Sequence, residues 1–222
     1  MNKSTDILRE YETAFRDLVT FKNFNSNKDV KQTLRLNKRE DWSFICSALD
    51  VIGDTTLAIS NFLESGLEGQ TDGNDFGEKY LRLYGVLNAT YLQQFAIVGL
   101  YKKCNLTDPK DVIEKFKKLK IFELRNKLGA HSTEYSVGNG QVESYVIVRT
   151  STEGHRLEFI NNDSLIREWV DLKQYLEEHL LLIIDYLDKL YEKSIKTLHK
   201  GEESKIQEHM QKLSELRVLK TA

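Results

Sequence analysis

Hydrophobic residues recur at steps of three and four along most of this 222-residue chain, a spacing that predicts amphipathic helices. One helix is expected over about residues 4–20, and another from about Asp41, a good N-cap residue, to Glu64. A third is expected over residues 75–104. A fourth begins at Asp108-Pro109, because proline fits the first turn of a helix. The third helix carries an aromatic stripe that predicts its core-facing side: Phe76, Tyr80, Leu83, Leu87, Tyr91, Phe95 and Val98.

The spacing of hydrophobic residues changes in the second half of the chain. Residues 142–148 and 156–160 are β-branched and aromatic, with Glu153-Gly154 between them, so a β-hairpin is predicted at about 141–160. Asp163 is then expected to cap a long helix, and residues 201–222 to form a highly charged amphipathic helix. Apolar residues of the long helix alternate steps of four and three: Leu165, Trp169, Leu172, Leu176, Leu180, Ile183, Leu187 and Leu190.

These patterns predict a mainly α protein, an antiparallel helical bundle with a small inserted β-hairpin. The single proline in the chain also favours helices over an all-β architecture. A single helical domain is expected over residues 1–200, with the charged helix of residues 201–222 following it.

Composition narrows the functional classes. A net charge of −2 means that any nucleic-acid site must be a local patch. Cys46 and Cys104 have no Cys-x-x-Cys spacing or Cys/His cluster near them, so buried free thiols are expected, with no metal and no cofactor. The chain opens without a hydrophobic signal segment and has no apolar run of membrane length, which predicts a cytoplasmic protein without membrane contact. Four histidines (His155, His179, His199 and His209) are expected to be exposed.

The segment from Glu123 to His131 is where chemistry explains the residues better than packing. It reads R-N-x-x-x-x-H, with Arg125, Asn126 and His131 near the end of a predicted helix. Six residues turn through about 600° in a continuous helix, so Arg125 and His131 would not share a face. Gly129 favours the left-handed conformation that ends helices, and is expected to bring His131 back toward Arg125.

This motif resembles that of the HEPN domains, whose hallmark is an arginine, then Asn, Asp or His, and a histidine four to six residues beyond the arginine. The segment 80–94 also resembles the long helix that precedes the motif in some HEPN groups. The resemblance implies a HEPN-like bundle and a metal-independent endoribonuclease with Arg125, Asn126 and His131 as catalytic residues. It further implies a cleft at a homodimer interface, a role in toxin–antitoxin systems or phage defence, and an antitoxin or defence-system partner. Tyr135 lies four positions after His131, whereas the tyrosine modified in some HEPN toxins lies two positions after it.

The residue types suit RNA cleavage without metal. Histidine transfers protons near neutral pH, and the planar fork of arginine binds phosphate oxygens, while the asparagine amide can orient either. One histidine supplies only one proton-transfer group, so a two-fold dimer would complete the site.

Charge around the motif supports an RNA partner. From Lys110 to Lys127 there are seven basic and three acidic residues. The basic set includes the lysines predicted to follow an RNA backbone: Lys117, Lys118, Lys120 and Lys127. Two alternatives remain open at this stage. The chain could be a non-catalytic HEPN module that binds a protein or nucleotide partner as a scaffold or sensor, or an unrelated interaction protein in which Arg125 and His131 are ordinary helix-end residues.

Overall fold

The structure is a computed structural model that describes residues 3–71, 75–130 and 132–221. The chain is mainly helical, as predicted. Its helices are α1 (Lys3–Phe24), α2 (Val30–Thr33), α3 (Asp41–Ser65), α4 (Phe76–Lys103), α5 (Pro109–Lys117), α6 (Lys120–Leu124), a π-helix (Arg125–Ala130), α7 (Leu172–Leu198) and α8 (Glu203–Thr221). Its strands are β1 (Tyr135–Gly138), β2 (Gln141–Glu143), β3 (Tyr145–Ile147), β4 (Arg156–Asn161) and β5 (Arg167–Asp171), with a 3-10 turn at Arg149–Ser151.

The chain divides into two compact units. The first unit contains residues 57–91 and 114–179, and the second contains residues 3–56, 92–113 and 180–221. Helix α8 belongs to the second unit, where Leu213 and Leu216 are fully buried. Arg217 of α8 also pairs with Asp188 of α7 at 2.6 Å. The charged terminal helix is therefore a packed part of the second unit and not an appendage.

The β-region of the first unit is larger than the predicted hairpin. Strands β1 and β2 form one antiparallel pair, and β3, β4 and β5 form a three-stranded antiparallel sheet in that order. The predicted hairpin corresponds to β3 and β4, in which Tyr145 lies opposite Asn161. Strand β5 was expected to be helical, so the prediction of a helix starting at Asp163 is wrong. Asp171 is the residue that caps α7, because its Oδ1 accepts hydrogen bonds from the backbone N–H groups of Lys173 and Gln174 at 3.0 and 3.3 Å.

From Leu172 onward the leucine-rich row of α7 is fully buried, as predicted: Leu172, Leu176, Leu180, Ile183, Leu187 and Leu190. The first two members of the predicted row, Leu165 and Trp169, precede the helix and are exposed. Local alternation in residues 165–171 therefore belongs to a strand whose backbone hydrogen bonds go to β4.

The aromatic stripe of α4 is only partly buried. Leu83 and Leu87 are in the core, but Phe76, Tyr91 and Phe95 are 43%, 37% and 62% exposed. A step of four residues turns about 40° past a full helical turn, so the row Leu87–Tyr91–Phe95 winds away from the core. The buried row runs through Leu83, Leu87, Thr90, Gln94, Ile97 and Tyr101.

Helix α3 begins at Asp41, but Asp41 is not an N-cap. Its Oδ2 accepts a hydrogen bond from the Lys38 backbone N–H at 3.0 Å, and its Oδ1 accepts one from Lys103 Nζ at 2.6 Å. By length and composition, α3 is the one helix among the described residues that could cross a membrane. Ile45, Ile52 and other apolar side chains of α3 are buried inside the protein.

The histidines expected to be exposed are wholly or partly buried, so those four predictions are wrong. His179 is fully buried and His199 is 6% exposed. His209 is half-buried, with its Nδ1 3.1 Å from the Tyr191 hydroxyl. His155 is also half-buried, and its Nε2 lies within hydrogen-bond distance of a carbonyl oxygen of α3, at 3.0 Å from that of Leu63.

Candidate functional site

The sequence motif lies on a helix that widens. Helix α6 passes directly into the π-helix Arg125–Ala130, in which backbone hydrogen bonds span five residues. Gly129 does not adopt the left-handed conformation, so the expectation that it ends the helix in this way is wrong. The nearest atom to a Cβ added at Gly129 would be Leu87 Cδ1 at 3.7 Å, an ordinary van der Waals distance. Single-turn π-helices are frequent at functional sites, because the extra residue changes the direction of the side chains.

Arg125 has a defined position within the first unit. Its guanidinium carbon lies 4.2 Å from the centre of the Tyr91 ring, a cation–π geometry. Its Nη1 donates a hydrogen bond to Asn126 Oδ1 at 3.1 Å. Arg125 is half-buried, and no carboxylate in the described part of the chain forms an ion pair with it. The guanidinium is therefore oriented by an aromatic ring and an amide, and no acidic side chain among the described residues neutralises its charge.

His131 lies outside the described residues. The residue after it, Ser132, is tied to the sheet, since its carbonyl oxygen accepts a hydrogen bond from the Tyr145 backbone N–H at 2.8 Å. The ring of Tyr145 in turn meets the ring of Tyr135 edge-on, with centroids 5.7 Å apart. The structure thus brings Arg125 and Asn126 together and anchors the segment that follows His131.

Lys127 is held by the protein itself, in contrast to the expectation that it contacts RNA. Its Nζ lies 2.9 Å from Glu123 Oε1 and 3.7 Å from Glu168 Oε1, and it is 4.9 Å from the centre of the Tyr145 ring. Burial acts to lower the pKa of Lys127, but the Glu123 and Glu168 carboxylates raise that pKa above its usual value. A phosphate would have to displace both carboxylates. Lys127 therefore has a structural role, in which it links α6 to strands β3 and β5.

The other three lysines predicted to bind RNA are on the surface. Lys117 pairs with Glu114 at 2.8 Å, and Lys120 pairs with Glu123 at 3.7 Å. Lys118 is exposed and forms no ion pair with any residue that the structure describes. Exposed pairs of this kind contribute little to stability, so an RNA phosphate can compete for these ammonium groups.

Sequence reasoning missed the role of Tyr91, which was assigned to the core. Tyr91 is instead the ring on which Arg125 rests, and it lies on an exposed side of α4. Leu81 and Tyr84 precede it at helical spacing and are 69% and 46% exposed. We call Leu81, Tyr84 and Tyr91 the α4 face. Together with Asn88 these residues form a row at steps of three and four, which is visible in the sequence. No feature of the sequence distinguishes this row from the buried row of the same helix.

The described residues include no group of three or more His, Cys, Asp or Glu side chains arranged to hold a metal ion. Comparison of the chain with protein-family models, with curated proteins and with solved structures finds no match. What the geometry defines is a mainly helical protein with an oriented arginine beside an asparagine on a π-helix, and this arginine has no ion pair within the described residues.

Proposed function

We propose that this chain is a HEPN-like metal-independent endoribonuclease that acts in a toxin–antitoxin system or in phage defence. The observation that carries the proposal is the state of Arg125, which rests on Tyr91, is hydrogen-bonded to Asn126 and has no carboxylate partner among the described residues. The planar fork of an oriented guanidinium without a carboxylate partner matches the geometry of two phosphate oxygens.

In this proposal the side chains have separate roles. Arg125 stabilises the negative charge that builds on the phosphorane, and Asn126 orients the guanidinium by accepting its hydrogen bond. His131 transfers a proton, since its ordinary pKa of about 6.5 lies near neutrality. The 2′-oxygen bonds to phosphorus as its proton passes to a base, and the bond to the 5′-oxygen breaks as that oxygen is protonated. The products are a 2′,3′-cyclic phosphate and a 5′-hydroxyl.

The reaction needs two proton-transfer groups, and one motif contains one histidine. We therefore propose a two-fold homodimer that brings both motifs together. The α4 face supports this part of the proposal. It exposes Leu81, Tyr84 and Tyr91 to solvent on the same helix side, and Arg125 lies on Tyr91 itself. A second copy covering this apolar row would bring its own Arg125 close to the first one. Lys117, Lys118 and Lys120 are proposed to contact the RNA backbone outside the cleft.

Cleavage of total RNA in the presence of EDTA tests the catalytic proposal. Loss of a proton-transfer group costs on the order of 10²–10⁴ in rate, so His131→Ala should be almost inactive. Arg125→Gln should also lose most activity, because the phosphorane loses its cation. The matched control is Arg149→Gln, which removes an exposed arginine of the same unit that has no ion pair in the described chain. The expected product ends are a 2′,3′-cyclic phosphate and a 5′-hydroxyl.

Equal cleavage by wild type, His131→Ala and Arg125→Gln would mean that another site or a contaminant is responsible, and the assignment would be withdrawn. Light scattering tests the dimer at micromolar concentration. Leu81→Glu places a charge on the α4 face and should give a folded, inactive monomer, whereas Leu219→Glu at an exposed position of α8 should remain dimeric and active. A monomeric and active wild-type protein would exclude the shared site.

A second candidate function is the non-catalytic module that binds a protein partner. The observation that favours it is the exposed apolar surface beside the three-stranded sheet, where Val146, Ile166 and Trp169 are 51%, 60% and 63% exposed. Large exposed apolar side chains grouped in this way are typical of interaction surfaces. RNA that remains intact after incubation with a dimeric wild-type protein would favour this candidate over the ribonuclease.

A further inference from the structure

The second unit contains a cavity that the proposed ribonuclease does not use. Its volume is about 600 Å³, which is within the range of small-molecule sites. It lies between the end of α1, the segment around α2, the end of α7 and the start of α8. All of its lining residues belong to the second unit, whereas Arg125 and Asn126 belong to the first.

The lining of this cavity is basic. It contains five Lys and Arg side chains and two Glu side chains: Lys22, Lys28, Arg35, Lys200, Lys205, Glu202 and Glu208. Both glutamates are already paired, Glu202 with Lys22 and Glu208 with Lys205. The other three cations, Lys28, Arg35 and Lys200, form no ion pair within the described residues. The excess positive charge therefore comes from side chains that are free to bind an anion.

The rest of the lining includes ordered rings. His199 is buried, and its Nδ1 lies 2.9 Å from Glu202 Oε2. The His199 and His209 rings are stacked with centroids 5.2 Å apart, and the Tyr191 hydroxyl holds His209 from the other side at 3.1 Å. Phe21 also lines the cavity and is 64% exposed, so a face of its ring is open to a ligand.

We propose that this cavity binds a small phosphorylated molecule with two or more negative charges. Lys28, Arg35 and Lys200 hold its phosphate oxygens through charge-assisted hydrogen bonds. A concave site of about 600 Å³ suits a small ligand. When the ligand also carries a planar base, Phe21 offers it a stacking surface, as aromatic side chains do for nucleobases. A nucleoside di- or triphosphate combines both features, and an inorganic polyphosphate has the first alone.

Isothermal titration calorimetry on the full chain at low salt tests this proposal with three probes: ATP, tripolyphosphate and adenosine. The test variant is Lys28→Gln combined with Lys200→Gln, two exposed positions whose exchange leaves the core intact. The matched control is Lys102→Gln combined with Lys110→Gln, which removes the same charge from exposed positions of the same unit outside the cavity. Thermal unfolding of both variants checks that each remains folded.

We expect ATP to bind, adenosine not to bind, and the test variant to bind ATP at least about tenfold more weakly than the control variant. Phe21→Ala should weaken ATP binding but leave tripolyphosphate binding unchanged. If tripolyphosphate binds as tightly as ATP and Phe21→Ala has no effect, the site recognises phosphate groups alone. This result still supports the proposal that the cavity binds a small phosphorylated molecule. No heat with either phosphate at about 1 mM, or equal weakening in test and control variants, would overturn the proposal. Because RNA cleavage is measured separately, either proposal can fail without the other.

Discussion

His179 provides a stability prediction whose size follows from the structure. It lies on α7, fully buried, with its ring 6.5 Å from that of Phe116. Burial lowers the pKa of His179 from 6.5 to about 3, because the imidazolium would lose its hydration. In the unfolded chain the same side chain titrates near its ordinary pKa of about 6.5. We therefore compare the wild type with His179→Gln, which removes the titrating group and keeps a polar side chain of similar size.

The direction in which stability changes with pH follows from which state, folded or unfolded, binds the proton first. Below about pH 6.5 the unfolded chain takes up a proton on His179, while the folded protein does so only near pH 3. Stability from the neutral histidine is thus fully present above about pH 6.5 and decreases as the pH falls toward 3. Each pH unit in this window is worth about 1.4 kcal/mol, so roughly 3 kcal/mol is lost by pH 4.5.

Urea unfolding followed by circular dichroism at about pH 7 and about pH 4.5 measures this loss. Other groups that titrate in this range contribute to both proteins, so the difference between wild type and His179→Gln isolates the histidine. The free energy of unfolding of the wild type should fall by roughly 3 kcal/mol more than that of the variant. A difference that does not change with pH would refute the reasoning, because it would mean that His179 is protonated equally in both states.

Three further substitutions test the structure directly. Gly129→Ala should leave the free energy of unfolding unchanged or raise it by about 0.5–1 kcal/mol, because an added Cβ makes only ordinary van der Waals contacts with Leu87. A marked decrease of this free energy in urea unfolding would argue against the π-helix geometry. Gly66→Ala should lower the free energy of unfolding by about 1–3 kcal/mol, since Gly66 has a positive φ and a Cβ would lie 2.7 Å from the Gly154 carbonyl oxygen. An unchanged thermal midpoint would contradict this close approach. Lys127→Met should lower the free energy of unfolding by about 1 kcal/mol, because it removes the ammonium that contacts the partly exposed carboxylates of Glu123 and Glu168. A neutral result in the same urea assay would show that the ion pairs are not formed.

The local pattern of the sequence was sufficient for several of the helices. The bounds of α3 and α4 and the start of α5 at Pro109 agree with the prediction to within a few residues. The buried row of α7 after Leu172 agrees as well. These features depend on the spacing of apolar residues and on the chemistry of single residues at helix starts, both of which act over a few positions of the chain.

Strand β5 and the partners of the site residues depended on contacts between distant parts of the chain. Residues 167–171 can be read as helix or strand until β4 accepts their backbone hydrogen bonds. Glu168 of this strand then neutralises Lys127, which sequence spacing alone had placed in an RNA-binding row. His179 illustrates the same limit, since two glutamates precede it in the chain while the fold buries it completely.

At the candidate site, the sequence alone identified Arg125, Asn126 and His131 as residues suited to phosphate chemistry. The tertiary structure decided that Arg125 rests on Tyr91 and hydrogen-bonds to Asn126 without a carboxylate partner among the described residues. Side-chain type determines what a residue can do chemically, and this is written in the sequence. Whether a charge is neutralised or left available depends on which groups the fold brings within a few ångströms of it, and for Arg125 the aromatic ring lies 34 positions earlier in the chain.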